Sequence, residues 1–115
     1  MYSRELIKGT LTTIILNLLE AKGRMYGYEI FQLVKERSDG KILLKDGSLY
    51  PALQKMHKDG LLVTEEEFIG KRVRKYYKLT PKGKTQKTVN LNELKEFIST
   101  LNKVISTDFM RYETK

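Results

Sequence analysis

The chain has 115 residues, with 22 Lys and Arg against 14 Asp and Glu for a formal net charge of +8, a surplus that favours nucleic acid, an anionic membrane or an acidic protein as partner. It contains no cysteine, so disulfides, thiolate nucleophiles and cysteine-based metal sites are excluded, and a reducing compartment fits. No apolar run approaches the ~18 residues of a membrane span, and the opening Met-Tyr-Ser-Arg-Glu carries no signal-peptide pattern, so a soluble, cytoplasmic protein with no membrane partner is expected.

Over residues 5–21 the apolar positions Leu6, Ile7, Leu11, Ile14, Ile15, Leu18 and Leu19 follow a 3.6-residue period, which predicts a first, largely buried helix closed by Gly23. A second helix is predicted over 26–35, with Ile30, Leu33 and Val34 on one side and Ser38-Asp39-Gly40 as its break. The third is predicted over 48–59, with Ser48 as its cap, Pro51 in its first turn and Gly60 as its stop. Leu49, Leu53 and Met56 share one face of it, and Tyr50, Gln54 and His57 share another. One face packs; the other is free to read a partner.

The pattern then changes. Residues 61–69 and 73–79 are rich in β-branched and aromatic side chains around a Gly70-Lys71-Arg72 tip, which predicts a β-hairpin. Thr80-Pro81 opens a last helix with no strong breaker after Gly83, and residues 81–110 alone would extend roughly 45 Å. Its apolar positions Leu91, Leu94, Ile98, Leu101 and Ile105 alternate by three and four, with Phe97 and Val104 beside them, as in a coiled-coil seam. A domain this small gains burial by oligomerising, so a homodimer joined by this helix is expected. No repeat or linker divides the chain, and the reading is residues 1–80 as the folded unit and 81–115 as the dimerisation helix.

Three helices followed by a two-stranded hairpin predict a mainly α fold with a small β element (α+β), in the order of a winged helix-turn-helix with a long C-terminal helix. In that arrangement the third helix enters the major groove of double-stranded DNA, which places Ser48, Tyr50, Gln54 and Lys55 toward the duplex. An amide such as Gln54 matches an adenine edge, and Lys55 suits guanine or phosphate. The hairpin adds Lys71, Arg72 and Arg74 near its tip as phosphate contacts, with Lys75 the better strand partner for the acidic run Glu65-Glu66-Glu67. Tyr26 and Tyr28, at the start of the second helix, are placed to donate hydroxyls to phosphate, although packing suits Tyr28 equally well.

Four stretches also resemble the PadR family of transcriptional regulators, in its short form with a single C-terminal helix. They are Leu16-Asn17-Leu18-Leu19 ahead of Met25-Tyr26-Gly27-Tyr28-Glu29-Ile30, then Gly47-Ser48-Leu49-Tyr50-Pro51-Ala52-Leu53, then His57-Lys58-Asp59-Gly60-Leu61, and Arg74-Lys75-Tyr76-Tyr77-Lys78-Leu79-Thr80-Pro81-Lys82-Gly83. The resemblance implies a homodimer that recognises an inverted-repeat operator, represses a nearby promoter and is relieved by a small-molecule ligand. Some relatives hold that ligand between aromatic side chains including tryptophan. This chain has no Trp and offers Leu94 and Phe97 there, where seam packing is the better account of Phe97.

Enzyme activity is not expected. His57 is the only histidine, and no phosphate loop, nucleophile elbow or metal-ligand spacing occurs, so no cofactor is assigned. The competing reading is a dimeric adaptor of the same fold that sets its basic face against an acidic protein, since fold does not fix function.

Overall fold

The computed structural model describes residues 2–113, with side-chain surroundings described for residues 2–106. The elements in chain order are α1 (Arg4–Lys8), α2 (Leu11–Lys22), β1 (Arg24–Tyr26), α3 (Gly27–Arg37), α4 (Asp46–Lys58), β2 (Leu62–Ile69), β3 (Arg72–Leu79) and α5 (Pro81–Glu113). The expected first helix is broken in two at Gly9-Thr10. Thr10 donates both its N–H (3.0 Å) and its hydroxyl (3.1 Å) to the Ile7 carbonyl, which closes α1 with a tight turn before α2 begins.

The core forms where α2 meets the other elements. Ile15, Leu16 and Leu19 of α2, Ile30 of α3, Leu49 and Leu53 of α4, Leu62 of β2 and Leu44 of the α3–α4 loop are the largest fully buried side chains. The predicted packing face of the third helix is therefore the observed one. The predicted boundaries of that helix are not. α4 starts at Asp46, the Lys45 carbonyl accepts from the N–H groups of Ser48 and Leu49 at 2.9 and 2.8 Å, and Lys45 provides no side-chain cap. Ser48 thus lies inside the first turn instead of capping it, and Pro51 falls in the second turn, where its missing N–H leaves the Gly47 carbonyl without its helical donor.

The sheet has three strands, not two, in the order β1-β3-β2 and antiparallel throughout. Three-residue β1 carried no periodicity long enough to predict it, yet it pairs Arg24 with Lys78, Met25 with Tyr77 and Tyr26 with Tyr76. β2 and β3 pair over their full eight residues, closing at Ile69 opposite Arg72. The hairpin tip is consequently the two residues Gly70-Lys71, with Gly70 at φ +64° and Arg72 already in the strand.

α5 leaves the body through a bonded junction. The Thr80 hydroxyl accepts from the Gly83 N–H (3.0 Å) and donates to the Gly60 carbonyl (2.6 Å), while Lys82 Nζ donates to the Asp59 carbonyl (2.8 Å). Gly83 is buried, and a Cβ on it would overlap the Leu61 carbonyl oxygen, so only glycine lets the first turn of α5 sit this close to the end of α4. From there 33 residues of helix run about 50 Å. They stretch the molecule to 68 × 29 × 21 Å with a radius of gyration of 17.2 Å, against about 13 Å for a compact chain of this length. The last two residues of the 81–115 segment lie outside the described residues. No described helix is long and apolar enough to cross a membrane.

Candidate nucleic-acid interface

The surface of α4 opposite its buried face carries Gly47, Pro51, Gln54 and Lys58, all exposed. Of the predicted contact residues on α4, Gln54 lies on that strip and the others flank it on two sides. Tyr50 and Gln54 face the wing; Ser48 and Lys55 border a groove that α4 forms with α1 and α5. Lys55 pairs with Asp59 at 2.9 Å one turn on, an exposed pair of little net strength.

Between α4 and the wing the structure opens a recess of about 610 Å³ lined by Tyr26, Tyr50, Gln54, Arg72, Arg74 and Lys75, among others. Three local features build it. β1 pairs only with residues 76–78 of β3, so the 72–75 stretch of that strand has a free edge. Gly27 opens α3 without a side chain, and a Cβ there would stand 2.5 Å from the Tyr50 hydroxyl oxygen, so glycine makes the room in which the Tyr50 ring lies. Glu29 accepts the Tyr26 N–H at 3.1 Å, which fixes the turn into α3 and the direction of Tyr26.

Arg74 lies over the Tyr26 ring, 4.1 Å from its centroid, and its guanidinium also donates to the Tyr76 hydroxyl at 3.5 Å. That hydrogen bond raises the Arg74 pKa further above its ordinary value, so its charge is permanent. Among the described residues it makes no ion pair. Burial raises the pKa of the Tyr77 hydroxyl at the back of the recess, with Tyr50 adding to the effect.

The expected neutralisation of the acidic strand by the wing's own lysine is not what the structure shows. Lys75 stands opposite Glu66 in register but makes no ion pair with it, and it lines the recess instead. Glu65 and Glu67 are taken by Arg24 of β1, which reaches across β3 to them at 3.3 and 2.6 Å and rests 4.0 Å above the Tyr76 ring. Tyr26 and Tyr76 meet edge to face at 5.5 Å. Lys75 thus differs from its reading as a strand partner, and Arg24 is the contributor that the sequence reading lacks, although a signal for it exists. Arg24-Met25-Tyr26 and Arg74-Lys75-Tyr76 share an Arg-x-Tyr alternation, and antiparallel pairing of two such strands sets each arginine diagonally over the other's tyrosine.

The remaining predicted contacts stand apart from the recess. Tyr28 is 57% exposed, stacks on Phe31 and accepts from Gln32 at 2.6 Å, so it is neither core nor part of the recess. Lys71 occupies the exposed turn. On α5, Leu91 and Leu94 are half-buried while Phe97, Ile98, Leu101, Val104 and Ile105 are exposed on the single chain. No cluster of three His, Asp or Glu suited to a metal occurs among the described residues.

Comparison with known proteins places this geometry. The sequence profile of the transcriptional regulator PadR-like family matches residues 15–88. A protein of Lysinibacillus sphaericus without a stated function is 35% identical over 88 residues, covering 73% of this chain and 77% of its own length. The structure of a transcriptional regulator from Clostridium thermocellum superposes with a TM-score of 0.79 at 30% identity, over 86% of this chain and 96% of that one. A PadR-like transcription factor from Bacteroides fragilis does so with a TM-score of 0.71 at 34% identity, over 87% and 94%.

Proposed function

We infer, since this chain belongs to the PadR-like family of transcriptional regulators, whose members regulate transcription through a DNA-binding winged helix and are not enzymes, that it is a homodimeric repressor of an inverted-repeat operator. The observation that carries the reading is the convergence of Arg72, Arg74 and Lys75 with Tyr26, Tyr50 and Gln54 around one open recess beside the exposed strip of α4. In this reading α4 lies in the major groove with Gln54 against a base edge. Ser48, with its hydroxyl free of capping duty, and Lys55, released from its weak pair with Asp59, contact the strand on the other flank. The wing cations Lys71, Arg72 and Arg74, with Tyr26, Tyr28 and Tyr50, hold phosphates and set the register.

Residues 1–80 act as the DNA-binding unit, and residues 81–115 join two copies through Leu91, Leu94, Phe97, Ile98, Leu101, Val104 and Ile105. The exposure of the last five of these on the isolated chain supports that assignment. A small-molecule effector belongs to the same reading. The groove of about 1050 Å³ between α1, α4 and α5 supports it, because a molecule seated there touches both the reading helix and the helix that joins the subunits.

Selection of bound sequences from random duplexes at near-physiological salt tests the whole proposal. The expected result is an inverted repeat with half-sites separated by about 10 bp or a multiple of it. Recovery of no preferred sequence, or of a single asymmetric half-site, would overturn it.

A further inference from the structure

The wing contains a cross-strand conflict that a third strand resolves. Glu67 and Arg74 are direct partners in the β2–β3 register and share one face of the sheet, a placement that brings Cβ atoms to about 5 Å and ordinarily produces an ion pair. In this molecule the pair does not form. The Glu67 carboxylate lies 2.6 Å from Arg24, and Arg74 sits over Tyr26 on the recess side. The other carboxylate near Arg74, that of Glu29, is engaged with the Tyr26 N–H. Arg24 is held for this role by the Tyr76 ring beneath it and by Glu65 as well as Glu67.

We propose that Arg24 is a positioning residue for DNA binding, which draws Glu67 away from its cross-strand neighbour and so leaves the Arg74 guanidinium free to take a phosphate. The proposal rests on the reading of Arg74 as a phosphate contact given above. A free Glu67 swings to Arg74, cancels its charge and adds a carboxylate at the mouth of the recess. Arg24 thereby governs affinity without touching the duplex.

The test is a double-substitution cycle on the full chain, read by fluorescence anisotropy with a labelled random-sequence duplex of about three helical turns over a range of salt concentrations. Arg24→Gln changes an exposed side chain, so the fold is retained, as thermal unfolding of each variant verifies. It is expected to weaken binding roughly three- to tenfold and to lower the slope of log affinity against log salt by about 0.9 per subunit. Glu67→Gln in that background is expected to restore both, while in the wild-type background it changes little. Equal gains from Glu67→Gln in the two backgrounds would reduce the effect to bulk charge and overturn the proposal. So would wild-type affinity in Arg24→Gln, or a loss that Glu67→Gln does not recover, the mark of a direct phosphate contact by Arg24. Arg74→Ala separates this from the underlying reading: wild-type affinity and slope there would remove Arg74 from the interface altogether.

Discussion

Arg74 and Gln54 border the same recess, and in the proposed complex they would contribute differently to recognition, because one is a permanent charge and the other a neutral amide. Replacing Arg72 and Arg74 together by Ala is expected to weaken binding to every duplex and to reduce the salt slope by about 0.9 for each phosphate lost. Gln54→Ala is expected to leave that slope unchanged and to relax preference at one base position by about 1–3 kcal/mol, measured by competition with single-substituted operators. Gly27 sets the position of Tyr50 between them. Gly27→Ala drives a methyl group into the Tyr50 hydroxyl, so DNA affinity should fall, and adding Tyr50→Ala to that variant should cost almost nothing more, a non-additivity that distinguishes displacement of this one ring from general damage. The residues that line the recess were largely legible in the sequence, since Tyr26, Tyr50, Gln54, Arg72 and Arg74, each a candidate contact there, all border it. Their common destination was not, because it depends on side chains fifty residues apart stacking on one another.

At the scale of elements, long periodic segments were readable and short ones were not. The apolar faces of α2 and α4 appear in the sequence as they do in the core, because a helix repeats its burial every turn. β1 has three residues, too few for any alternation, and the break at Gly9-Thr10 is made by hydrogen bonds to a single carbonyl. Ser48 shows how the same residue type serves two ends: Ser is a preferred cap, but α4 begins two residues before it. Ser48→Ala should therefore change unfolding stability by less than about 0.5 kcal/mol, whereas Thr80→Ala, which removes the true cap of α5, should cost about 1 kcal/mol in a urea titration. Gly83→Ala should be worse than either, by about 1–3 kcal/mol, because the added methyl group forces the start of α5 away from the Leu61 carbonyl.

The whole molecule is a small core with a helix longer than the core is wide, and its exposed apolar strip is the feature that a second copy would cover. Ile98→Asp with Leu101→Asp places charges in the middle of that strip. Sedimentation should then show a monomer with an intact core, and apparent operator affinity should drop by about 10²–10⁴, since two half-site contacts are no longer linked. An undiminished dimer would mean that the joining surface lies elsewhere. The Thr80 junction would give the proposed dimer one more property. Because it fastens the end of α4 to the root of α5, the shaft and the proposed reading head would turn as one crank, and a 10° change in the crossing of two shafts would displace points some 50 Å along them by roughly 9 Å, about a quarter of a DNA helical repeat. In the proposed dimer, a small molecule that altered that crossing slightly would throw the two heads out of step with the groove.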